Sequence, residues 1–170
     1  TIILQFLMAF NDLRGLKAVT KLFIQAACTG GLIFFSGVYI HSLGNLLGFG
    51  ELHLGYWGIP FTIFCIVGMT NAFNMIDGLN GLCASLCLIC FTSIIYMINA
   101  DTVPSLFPLI LPVGAITGFL MYNLGILGNQ RTVFLGDNGS NALGFMCAWI
   151  LVYFSSVENS NFAPVTALWF

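Results

Sequence analysis

Apolar positions along this chain gather into long runs separated by short polar junctions. Runs at about 18 to 40, 57 to 75, 82 to 99, 104 to 123 and 139 to 156 each approach the roughly twenty residues that cross a hydrocarbon core of about 30 Å, and incomplete runs occupy both ends, at Thr1 and Phe170. The pattern predicts an all-α, polytopic transmembrane helical bundle of about five complete and two partial spans. Residues 1–170 read as one integral membrane domain, incomplete at both ends, with a short segment at about 41–56 exposed between spans. Neither a basic n-region nor an initiator methionine precedes the first run, so no signal peptide is predicted.

Composition agrees with lipid as the solvent. Hydrophobic residues make up 59%, charged residues 6%, and the mean hydropathy is +1.00, where a soluble domain carries about 25% charged residues. A net charge of -2 and four scattered basic residues exclude a nucleic-acid partner and leave membrane lipid as the surroundings. The six cysteines, Cys28, Cys65, Cys83, Cys87, Cys90 and Cys147, all fall in apolar runs and read as reduced packing residues. Cys83, Cys87 and Cys90 share a helical face, but no His or carboxylate joins them at ligand spacing.

Alternating the junctions across a membrane sorts the charges. Segments 11–17, 76–81 and 124–138 fall on one side with Arg14, Lys17 and Arg131, and Lys21 lies within a turn of it; the positive-inside rule makes that side cytoplasmic. The segments 41–56, 100–103 and 157–163 then face the periplasm. Asp12, Asp77 and Asp137 fall on the cytoplasmic side, and Glu51, Asp101 and Glu158 on the other. Each cytoplasmic junction therefore brings one aspartate to one face, where a carboxylate at the lipid margin is costly unless paired or solvated. Read singly, each is an ordinary loop carboxylate or helix cap.

Local sequence strengthens the functional reading. In NAFNMIDGLNGL, Asn71, Asn74 and Asp77 are three apart and drift slowly around one helical face, while Gly78 and Gly81 permit tight turns beside an anion. In VFLGDNGSNALGF, Gly136 and Gly139 flank Asp137, and Asn138 and Ser140 can cap the following helix, whose N-terminus suits a phosphate. Oxygen donors from Asp and Asn without nearby His or Cys suit Mg²⁺ or Mn²⁺ better than zinc, with a nucleotide diphosphate completing the shell. This chemistry is phosphoryl transfer.

These motifs, with LGILGNQRTVFLGDNGS and APVTALWF, resemble the bacterial polyprenyl-phosphate N-acetylhexosamine-1-phosphate transferases from about residue 9 to Phe170. The resemblance is greater to the undecaprenyl-phosphate GlcNAc-1-phosphate transferases that start O-antigen and enterobacterial common antigen synthesis. The phospho-MurNAc-pentapeptide translocases typically carry Val, Leu and Thr where this chain has Phe73, Met75 and Ile76. It implies a UDP-N-acetylhexosamine donor, an undecaprenyl phosphate acceptor, UMP release, a Mg²⁺ requirement, and a place in the bacterial inner membrane with the active face cytoplasmic. Carried over by position, the family's adjacent acidic pair falls on Asn11 and Asp12, its metal-binding aspartate on Asp77, a further aspartate on Asn80, and its third acidic motif on Asp137. Asp12, Asp77 and Asp137 are thus the expected catalytic residues, with Asp77 and Asp12 on the metal. Asn11, Asn71, Asn74, Asn80, Gly136, Asn138 and Ser140 are the expected substrate-binding residues.

Asparagine at position 11 can coordinate through its carbonyl but cannot take a proton. A phosphate monoester whose second pKa is about 6 is already largely dianionic at pH 7, so the acceptor needs little help from a base. The family's His-rich loop falls downstream of Phe170 and its first spans upstream of Thr1, so the isolated segment is expected to be inactive. Two other readings compete: a silent membrane paralogue acting as a binding partner, motivated by Asn11 and Asn80, and a transporter, motivated by Pro104, Pro108 and Pro112 in one run. A homodimer is one assembly compatible with such a chain.

Overall fold

The computed structural model describes residues 18–44, 50–97, 107–128 and 133–156. Asn11, Asp12, the two end runs, Asp101, Arg131 and Glu158 lie outside the described residues. Five α-helices follow one another: α1 (Ala18–Ser36), α2 (Gly58–Ile76), α3 (Leu82–Met97), α4 (Phe107–Asn123) and α5 (Gly136–Ser156), with a 3₁₀ turn at Gly55–Trp57 before α2. The five expected runs correspond one to one with these helices. Two stretches, Val19–Ser36 and Gly55–Ile76, are long and apolar enough to cross a membrane; Leu82–Met97 and Leu109–Asn123 are apolar but shorter.

Three buried threonines are satisfied within their helices. The hydroxyls of Thr29, Thr62 and Thr70 donate to the carbonyls four residues earlier, at 2.7–2.8 Å, so each is satisfied within its own helix. Outward faces carry side chains that water would not tolerate in such number: Phe34 and Phe35 are 84% and 88% exposed. Pro108 lies in the first turn of α4, where a missing N–H removes no helix bond, while Pro112 lies inside the helix and does remove one.

The centre of the bundle is α5. On one flank it packs with α3 and α4 through a core that includes Phe91, Ile94, Leu109, Cys147 and Leu151. On the other it packs with α1 and α2 around Ile66, Phe145, Ala148 and Val152. Its largest partner is α2. The approach is close because Gly144 has no side chain: a Cβ there would lie 2.8 Å from Phe73 Cβ and 3.0 Å from Thr70 Cα. Covered on both flanks, α5 can carry Asn, Ser and Gly that a lipid-facing helix could not. All six cysteines are free thiols, and Cys83, Cys87, Cys90 and Cys147 are buried in the α3–α4–α5 core, consistent with a packing role.

Two ends of the bundle are distinct. At one, Gly81 packs against Leu120 and Leu124, and Asn123 Nδ2 donates to Val133 O at 2.7 Å. That gathers the α2–α3 turn, the end of α4 and the start of α5. At the other, Ser156 Oγ donates to Tyr39 O at 3.0 Å and Ile40 N–H donates to Thr62 Oγ1 at 3.0 Å. Here the chain between α1 and α2 doubles back through an antiparallel bridge, Ser42 to His53. His41 stacks on Tyr39 at 3.8 Å, His53 meets Glu51 at 3.5 Å, and Tyr56 and Trp57 are exposed. The described parts of junctions 76–81 and 124–138 thus share one end of the bundle, and those of 41–56 lie at the other.

Candidate active site

The site is built where α2 ends and α5 begins. Helix α2 stops at Ile76; Asp77 follows with ψ 25°, Gly78 N–H donates to Ile76 O at 2.7 Å, and Gly81 turns the chain with φ 79°. A side chain at Gly81 would also meet Leu124 Cδ2 at 2.5 Å, so this glycine is required twice over. Gly78 has open space around it and no left-handed φ. Helix α5 begins at Gly136, φ 68°, and carries Asp137 in its first turn, where a negative charge complements the helix dipole.

The structure brings Asp77 and Asp137 together. Burial first, and then the like charge of Asp137, push the Asp77 carboxyl above its ordinary range. Asp77 is half-buried and Asp137 exposed. Among the described residues neither carboxylate has a Lys or Arg ion-pair partner. Asn138 adds a side-chain oxygen, Oδ1, that is shielded from solvent and has no hydrogen-bond partner among the described residues. Two like-charged carboxylates with no counter-charge among the described residues, and an orphaned amide oxygen, fit a hard divalent cation, which needs only one or two carboxylates and fills its shell with water and phosphate. No set of three His, Cys, Asp or Glu side chains converges among the described residues.

The amides take a different place. Asn71 Nδ2 donates to Gln25 Oε1 at 2.7 Å and to Val67 O at 2.7 Å; Asn74 Nδ2 donates to Ser140 Oγ at 2.9 Å. Their face points toward α1 and α5, and they connect helices beneath the aspartates. Ser140 is fully buried and donates to Asp137 O at 3.1 Å. Asn80 stands exposed in the α2–α3 turn, and Gly136 leaves the approach to α5 open. Gln25 and Asn141, both buried, belong to this layer and were not among the expected site residues. The signal that could have found Gln25 is a lone amide inside an apolar run, which must have a partner in lipid.

Comparison with known proteins follows the same residues. Residues 1–155 match the family described as glycosyl transferase family 4. The chain is 37% identical over 171 residues, 98% of its length, to the undecaprenyl-phosphate alpha-N-acetylglucosaminyl 1-phosphate transferase of Escherichia coli O157:H7, and 32% identical over 168 residues to the protein of the same name from Yersinia pestis. It is 39% identical over 155 residues, 86% of its length, to the phospho-N-acetylmuramoyl-pentapeptide-transferase of Streptococcus mutans. The chain spans 46%, 46% and 43% of these relatives. Similar identity to both kinds of relative fixes the family and leaves the sugar open.

Proposed function

Because the chain belongs to glycosyl transferase family 4, we propose that the whole protein transfers a sugar-1-phosphate, GlcNAc-1-phosphate, from a UDP-sugar to undecaprenyl phosphate and releases UMP. The observation that carries this reading is the pair Asp77 and Asp137, without a Lys or Arg partner among the described residues, at one end of an apolar bundle. A lipid-borne phosphate and a water-borne nucleotide sugar can meet only at such a margin. We read all five helices as spans: the shortest, 16 residues, reaches about 24 Å at 1.5 Å per residue, close to a thin bilayer core. The aspartate end faces the cytoplasm of a bacterial inner membrane, as the positive-inside rule requires for Arg14, Lys17 and Arg131.

In this reading Asp77, Asp137 and Asp12 would hold Mg²⁺, with Mn²⁺ as a substitute, and Asn138 Oδ1, beside Asp137 in sequence and without a partner among the described residues, would offer a further oxygen. The ion, when bound, offsets the negative charge of the diphosphate. Asn11 and Asn80 hold the polar parts of the substrates. Gly136 and the first N–H groups of α5 leave room for phosphate oxygens, and Asn71, Asn74 and Ser140 keep that turn in place. The acceptor phosphate, largely dianionic at neutral pH, attacks the sugar-bearing β-phosphorus; the bond to the UMP oxygen breaks, and UMP leaves with that electron pair. No general base is needed. Membranes carrying the whole protein should release UMP from UDP-GlcNAc and not from UDP-MurNAc-pentapeptide. The opposite preference would move the protein to the phospho-MurNAc branch.

A further inference from the structure

Gln25 is fully buried on α1 and has no part in the chemistry above. Its Oε1 accepts from Asn71 Nδ2 at 2.7 Å, and its Nε2 donates to Asn141 Oδ1 at 3.3 Å. Asn141, 1% exposed, donates in turn through Nδ2 to the backbone carbonyl of Asp137 at 2.6 Å. A second path reaches the same carbonyl: Asn74 Nδ2 donates to Ser140 Oγ at 2.9 Å, and Ser140 Oγ donates to Asp137 O at 3.1 Å. Both paths leave α2 from the helix that ends at Asp77, and both end on Asp137. Only the first runs through α1.

We propose that Gln25 is a positioning residue for the sugar-phosphate transfer: its amide ties α1 and α2 to the first turn of α5 and so sets where the Asp137 carboxylate stands relative to Asp77. The proposal rests on the transfer reading above. Glutamine suits the task because a neutral side chain of this reach must accept from one amide and donate to another at once. Glutamate would accept from Asn71 but, ionised, could not donate to Asn141, and leucine would do neither. In apolar surroundings each amide has few other partners, so the three orient one another and admit one arrangement of the turn.

A purely structural bond between helices makes a different prediction from a positioning role. The test uses the whole protein with Gln25→Leu, with Gln25→Met as the second variant if the first does not accumulate, and the double variant Gln25→Leu/Asn141→Leu. UMP release, thermal stability and hydrogen exchange along α5 are measured for each. The single variants should lose tenfold or more in kcat, with KM for UDP-GlcNAc within about twofold of wild type. Exchange should rise at residues 138–143 and not in the rest of α5. The double variant removes the Asn141 amide that loses its donor, and Asn71 keeps its bond to Val67 O, so stability should return toward wild type while kcat stays low. An unchanged kcat in the single variants, a kcat that recovers together with stability, or exchange that rises evenly along α5 would overturn the proposal. If wild type itself releases no UMP, the transfer reading fails separately, and the exchange at 138–143 still shows whether Gln25 holds that turn.

Discussion

At the scale of the residue, Asp77 has the most direct consequence for pH. Its folded-state pKa lies above the unfolded value of about 3.9, because burial and then the Asp137 charge disfavour ionisation. The native state therefore binds the Asp77 proton more tightly than the unfolded chain does. That contribution to stability is complete below about pH 3.9 and is lost as pH rises through the folded value. Thermal melts between pH 3.5 and 7 in detergent should show a decline with pH that Asp77→Asn removes and that added Mg²⁺ reduces at the upper end. Parallel curves for the two proteins would show that Asp77 is not in the environment described. Asp77 and Asp137 were legible in the sequence because glycines lie beside each and both fall at junctions that the alternation of spans sorts to the same side. The pairing of Gln25 was not legible, since its partners lie 46 and 116 positions away and nothing local distinguishes it from any amide in an apolar run.

Elements were easier to read than their limits. Hydropathy records where the chain is apolar, not where it is helical. The run 139 to 156 therefore omits Gly136, Asp137 and Asn138, which form the first turn of α5, and the run 18 to 40 overshoots Ser36, where Gly37 turns left-handed with φ 69°. The α2–α5 contact was not legible either, because Gly144 matters through the backbone it admits. Gly144→Ala places a Cβ against Phe73 and Thr70, and overpacking of this kind costs about 1–3 kcal/mol. Gly68, on α2, is the control, because an added Cβ there would meet nothing within 4 Å: Gly68→Ala should be neutral or stabilise by about 0.5–1 kcal/mol. Detergent melts of the two variants decide it, and equal midpoints would mean that α2 and α5 are not in close contact at Gly144.

For the whole molecule, one apolar bundle with two chemically different ends makes sidedness the first test. Leu79 and Ile126 are exposed at the aspartate end, Leu52 and Tyr56 at the other. Cysteines placed singly at Leu79 and Ile126 should react with a membrane-impermeant thiol reagent from the cytoplasmic side, and those at Leu52 and Tyr56 from the opposite side. Labelling of Leu79 and Leu52 from the same side would break the five-span topology. The most direct measurement of the central claim is UMP release from UDP-GlcNAc by membranes carrying the whole protein, with lipid phosphate and Mg²⁺ each supplied or withheld, for wild type and Asp77→Asn. Release should require both additions, and Asp77→Asn at equal expression should lower it about 10²- to 10³-fold, the loss typical of a charge contact that strengthens in the transition state. Metal-independent release, or wild-type turnover in Asp77→Asn, would contradict it.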